Sequence, residues 1–231
     1  MARLPLRLAL LAAFLAPAVA FAQGPDILDL YRELQVAQPN GFPSYEIAAS
    51  PAGPVASGGL LYGPRARVSL LLDKPRFYLR ITDRGDADTA DGMVTEMAAW
   101  IDAEGSPLVG LSEWGMKGRA PFGGRLRFYS RASGRWNLVT DRGWPQELDA
   151  TLCRTPPREV QEDTAAWEGL GSVVAVLPRA GTDVSAWCVG ESPVAGTGAS
   201  LLWNSARGSF TRGPALQGAP PWGSAPEPQA R

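Results

Sequence analysis

Apolar residues recur along this chain at two spacings. Between Asp26 and Ala37, Ile27, Leu30, Tyr31 and Leu34 lie three and four positions apart, which gathers them on one stripe of a helix. Pro39-Asn40-Gly41 closes that stretch. From Arg67 the pattern changes to short runs of β-branched, aromatic and leucine residues bounded by Gly, Pro or Asp, and such runs predict strands. They fall at Arg67–Leu72, Arg76–Thr82, Met93–Ile101, Leu108–Glu113, Arg125–Ser130 and Arg135–Thr140. A second series falls at Ser172–Leu177, Asp183–Val189, Ala199–Trp203 and Ser209–Arg212.

Asp102-Ala103-Glu104-Gly105 and Arg131-Ala132-Ser133-Gly134 each separate two runs by a few residues ending in glycine, the signal of a hairpin. The second series echoes the first. Phe128 to Trp136 reads apolar, aromatic, polar turn, glycine, polar, aromatic, and Leu202 to Phe210 repeats that order 74 positions later. The expected fold is mainly β: antiparallel meander hairpins forming a sandwich or a partly open barrel, with one short N-terminal helix. The echo divides it into two similar four-stranded units, 66–140 and 171–212. Residues 23–65 then hold the helix and a Pro/Gly-rich lead-in, and 66–212 form the β-rich domain. The connection between units carries a helical pattern at Arg158–Trp167, and residues 213–231, rich in Gly, Pro and Ala, read as a disordered tail.

The first 22 residues follow a third pattern. Arg3 and Arg7 precede an apolar run from Leu8 to Ala16, Pro17 breaks it, and Ala20-Phe21-Ala22 offers small residues at the two positions a signal peptidase reads. This predicts a cleaved signal peptide and a mature chain that begins near Gln23 in the periplasm or outside the cell. The run is far shorter than the roughly 20 apolar residues that span a bilayer, and no later segment is long and apolar enough for a membrane helix, so no membrane span is expected in the mature chain.

Composition refines this picture. The 26 Gly and 21 Pro favour turns over long helices. Removing Arg3 and Arg7 from 22 basic residues leaves 20 against 23 acidic ones, which lacks the basic footprint of a nucleic-acid binder. The chain has no histidine. Ser-His-Asp and Cys-His catalysis are thereby excluded, and the commonest transition-metal ligand is missing. Cys153 and Cys188 are the only cysteines, and in an oxidising compartment they are expected to form a disulfide.

Three sets of residues carry candidate chemistry. Asp83, Asp86, Asp88 and Asp91 place four carboxylates within nine positions, oxygen ligands of the kind calcium takes. Their spacing departs from an EF-hand loop, and short acids equally suit a solvated turn. Calcium is the one cofactor the sequence raises. Glu96, Asp102, Glu104 and Glu113 are the acids that a carboxylate-dependent hydrolase of envelope polysaccharide would use, since glycoside hydrolysis needs two carboxyls about 5–10 Å apart. Strand alternation leaves Glu96 exposed if Met93, Met97 and Ile101 point inward, so no catalytic residue is assigned.

Tryptophans form the third set. Trp100, Trp136, Trp187 and Trp203 fall within strands and are expected in the core. Trp114 and Trp144 adjoin Gly115 and Pro145, outside the predicted strands, and are the ligand-binding candidates, with Gly115–Gly124 as a mobile flap beside Trp114. The function that follows is an exported, non-enzymatic module that binds an envelope or extracellular protein or glycan. The alternatives are the hydrolase and a calcium-stabilised structural domain.

Overall fold

The computed structural model describes residues 25–58, 67–84, 91–118, 120–140, 144, 148–153, 173–189, 196–217 and 220–223. The expected signal peptide, the helical pattern at 158–167 and residues 224–231 lie outside them.

Helix α1 (Ile27–Ala37) begins at Asp26, whose carboxylate accepts the N–H groups of Leu28 at 2.8 Å and Asp29 at 3.1 Å. The Asp29 carboxylate returns a bond to the Asp26 N–H, completing a capping box. Strands β1 (Tyr45–Ala48) and β2 (Val55–Gly58) pair antiparallel within the Pro/Gly-rich lead-in.

Next comes a six-stranded antiparallel meander: β3 (Arg67–Asp73), β4 (Tyr78–Arg84), β5 (Gly92–Ile101), β6 (Pro107–Lys117), β7 (Ala120–Ala132) and β8 (Arg135–Leu138). Helix α2 (Leu148–Cys153) leads towards a four-stranded sheet of β9 (Val173–Val176), β10 (Val184–Cys188), β11 (Gly198–Asn204) and β12 (Ser209–Leu216), also in sequence order. A 3-10 turn, Pro221–Gly223, follows. The mainly β, antiparallel architecture agrees with the sequence pattern.

Three details differ from expectation. The first unit holds six strands against four in the second, so the echoed segments sit in sheets of unequal size. The expected flap is instead the β6–β7 hairpin, because Gly115 pairs with Gly123 and Met116 with Pro121, and the chain turns at Gly118 (φ 63°). Strand β12 runs to Leu216, and Trp222 packs on the protein, so order continues past the boundary set at residue 212.

Both faces of the six-stranded sheet are covered. On one, Leu79, Ile81, Met97, Val109, Leu111 and Tyr129 meet Ile27, Leu30, Tyr31 and Leu34 of α1. On the other, Tyr78, Ala98, Trp100, Leu108 and Phe128 meet Val173, Ala175, Leu177, Val184, Ala186, Leu201 and Phe210. A strand buried on both sides loses the simple in-out alternation of a surface strand.

Strand β9 is an edge of its sheet, and it crosses the larger sheet edge first. An ideal Cβ on Gly124 (β7) would lie 2.5 Å from the Val173 carbonyl oxygen. The Ser112 hydroxyl (β6) donates to the Ala175 carbonyl at 2.5 Å, and the Leu177 N–H donates to Glu96 (β5) at 2.8 Å. Residues 173, 175 and 177 thus present their free backbone groups to β7, β6 and β5 in turn. An edge strand's unpaired groups must find partners when buried, and side chains of the facing sheet supply them. Side-chain alternation then sends Val173, Ala175 and Leu177 to one core cluster and Val174 and Val176 to another.

Candidate functional site

Arg80, Glu96 and Ser112 lie in one row across β4, β5 and β6, on the face that β9 crosses. The Glu96 side chain is 1 % exposed. Its Oε1 accepts the Tyr78 hydroxyl at 2.7 Å, and its Oε2 accepts the Leu177 N–H at 2.8 Å. Arg80 Nη1 stands 3.7 Å from Oε1, too long for a hydrogen bond but close enough to lend its charge. Burial raises the Glu96 carboxyl to about 7, because desolvation outweighs the Arg80 charge and the two hydrogen bonds. Burial first, and the Glu96 charge second, push the Tyr78 phenol above its ordinary range. Arg80 also lies over the Trp114 ring, 5.8 Å from its centroid.

The opposite face holds a separate polar group. Glu113 Oε2 accepts from Arg125 Nη2 at 2.9 Å and Arg127 Nη2 at 2.5 Å. Tyr45 donates its hydroxyl to Asp83 Oδ2 at 3.0 Å, while Asp83 Oδ1 is buried with no hydrogen-bond partner among the described residues. Burial pushes the Asp83 carboxyl up, and the Tyr45 bond pulls it down less. Thr95 Oγ1, on the same face, is likewise buried and has no partner among the described residues. Tyr31 reaches from α1 to the carbonyls of Pro43 and Tyr45, fastening the lead-in over this group.

These placements decide what the acidic residues do together. Glu96 is opposite Ser112 and Glu113 is opposite Thr95, so the two glutamates project from opposite faces of the sheet. Asp102 caps its own hairpin, accepting the N–H groups of Glu104 at 3.1 Å and Ser106 at 2.7 Å, and Glu104 is exposed there. The four acids therefore do not converge. Glu96 is buried, not exposed, because the four-stranded sheet covers the face on which it stands.

Of the four aspartates proposed for calcium, Asp86 and Asp88 lie outside the described residues. Asp83 is turned inward to Tyr45, and Asp91 Oδ1 accepts the Gly118 N–H at 3.2 Å. Among the described residues, no three His, Cys, Asp or Glu side chains are grouped to hold a metal ion.

Trp114 lies within β6 and is 2 % exposed, which corrects its expected place outside a strand. Residues on either side of Gly115 keep strand geometry, so the glycine marks no boundary. Trp144 is partly buried against the core cluster that includes Phe128 and Phe210. Trp100, Trp136 and Trp187 are buried as expected, and Trp203 packs at the core margin. The Cys153–Cys188 disulfide is present and joins α2 to β10.

Tyr78, Arg80, Tyr45 and Ser112 went unnoticed in the sequence because their roles depend on neighbours from other strands. Trp222 did leave a signal: one large aromatic among Pro and Gly. Comparison of the chain with protein-family models, with curated proteins and with solved structures finds no match.

Proposed function

We propose that this chain is an exported, non-catalytic β-sandwich module that binds an envelope or extracellular protein or glycan. Export is supported by the leader pattern of residues 1–22 and by a disulfide whose cysteines are both fully buried. The observation that carries the non-catalytic reading is the separation of Glu96 and Glu113 onto opposite faces, each held by structural partners. A glycosidase pair needs both carboxyls on one cleft. Glu96 has the raised pKa of a general acid, but no second carboxylate acts on it.

The test is incubation of the mature, oxidised chain with purified envelope polysaccharide and, separately, with envelope protein fractions. Saturable retention on one of them, with the polymer left intact, is the expected result. Release of soluble fragments would overturn the reading, and so would failure to be retained by any fraction.

A further inference from the structure

The smaller sheet covers only part of the face that β9 crosses. Past Leu177, which lies over β5, the chain moves to the Asp73 end of β3, where Arg179 bonds the Asp73 carboxylate at 2.8 Å. The opposite end of β3 and β4 is left open: Arg67, Ser69 and Leu71 of β3 and Arg84 of β4 are exposed. Tyr78 and Arg80 belong to this face, so alternation along β4 brings Thr82 and Arg84 to it as well. Register then sets Leu71, Ser69 and Arg67 opposite Arg80, Thr82 and Arg84.

Charge on this face is one-sided. Arg67 and Arg84 stand directly opposite each other, and like charges so placed destabilise a strand pair. Neither forms an ion pair among the described residues, and Asp91, next to the Gly92 that faces Arg84, gives its Oδ1 to the Gly118 N–H. Arg80 follows four positions along the strand, and Arg76 and Arg179 share the Asp73 carboxylate at 3.1 and 2.8 Å. Five guanidiniums thus meet two carboxylates, Asp73 and the buried Glu96, in a chain of 22 basic and 23 acidic residues. Charge gathered in this way attracts an anionic partner. All five cations are arginine, whose planar fork pairs with a carboxylate through two parallel bonds.

We propose that this arginine shelf binds an acidic polysaccharide through its carboxylates. The proposal rests on the binding-module reading and selects its glycan branch. Arg84 and Arg80 lie about 13 Å apart at roughly 3.3 Å per strand residue, so the shelf suits an extended polymer that repeats its charge. Between them Ser69 and Thr82 offer hydroxyls to sugar hydroxyls. An acidic protein partner needs a pocket for an apolar anchor, and the open corner presents only the flat Leu71 side chain among its described residues. Nucleic acid needs aromatic faces on which bases stack, and Trp114, which Arg80 overlies, is 2 % exposed.

The test titrates polygalacturonate oligosaccharides, at low salt, into the mature, oxidised chain and into its double variant Arg67→Gln with Arg84→Gln. Saturable binding to wild type that weakens as salt is added, and is at least tenfold weaker in the double variant, is expected. Arg135→Gln, which alters an exposed arginine on β8, should bind as wild type does. Without ligand, the double variant should melt no lower than wild type, because a like-charge pair has been removed.

Absent binding overturns the proposal, and so does an equal loss in Arg135→Gln, which would make the attraction a property of total charge. Polyglutamate or single-stranded DNA of matched charge binding as tightly as the oligosaccharide overturns it too. A lower melting temperature of the double variant would show that Arg67 and Arg84 serve structural partners, and would likewise overturn it. Retention on a neutral glycan or a protein fraction, with no binding of polygalacturonate, would remove this site and leave the broader function standing. Retention on nothing would remove both.

Discussion

Gly124 and Val174 touch as backbone to backbone: an ideal Cβ on Gly124 would lie 2.9 Å from the Val174 Cα. The closeness follows from the way β9 crosses the larger sheet. No flexible side chain can yield there, since the Val173 carbonyl is nearer still. Gly124→Ala is therefore expected to separate the sheets and cost at least about 1–3 kcal/mol, the usual penalty of overpacking a rigid contact. Denaturant melts will show it. A melt like that of wild type would mean the sheets are not seated this closely.

Trp114 is one of the largest fully buried side chains. Trp114→Ala is expected to cost about 3–5 kcal/mol, the range for emptying an aromatic site in a core. Trp144→Ala, at a partly buried position, should cost less. Equal, small effects of both changes in thermal denaturation would return Trp114 to the surface, where the sequence had placed it.

The disulfide closes a loop with a sequence separation of 35. In the chain-entropy model, removing such a crosslink costs about 3–4 kcal/mol. Cys153→Ser with Cys188→Ser should lower the melting temperature, and reductant should lower that of wild type but not of the double variant. Insensitivity of wild type to reductant under denaturing conditions would show that the bond does not form.

Tyr45→Phe should destabilise the chain through Asp83. The substitution leaves Asp83 Oδ2 without its present partner, beside an Oδ1 that already has none among the described residues, a loss of about 1–3 kcal/mol. Hydrogen exchange should report it first in β1 and β4. Unchanged protection in both strands would show that the lead-in is not fastened through this bond.

Much of the architecture was legible in the chain because it depends on local pattern. The helical stripe of Ile27, Leu30, Tyr31 and Leu34 is the buried face of α1, and the turn at Ser133-Gly134, with φ of 50° and 77°, joins the strands it was expected to join. Glu96 was misplaced because alternation ranks the faces of one strand and cannot reveal a second sheet lying over the polar one. Trp114 was misplaced because Gly115 and Gly118 both read as breakers, although only Gly118 adopts positive φ. The partners of Glu96 come from positions 18 and 81 residues away, a relation no local pattern encodes.

Glu96 fastens the two sheets from inside, its carboxyl buried between Tyr78 and the Leu177 N–H. Its carboxyl is raised from 4.5 to about 7 in the fold, so the folded state holds a proton that the unfolded state releases. The stability this contributes is complete below pH 4.5 and is lost as pH rises through about 7, an effect on the order of 3 kcal/mol. The decisive measurement is unfolding free energy from pH 4.5 to 8 for wild type and Glu96→Gln, because the difference cancels other titrating groups such as Asp83. Wild type is expected to lose stability relative to Glu96→Gln across that window. Parallel profiles would contradict it, since a solvent-exposed glutamate would show no such difference.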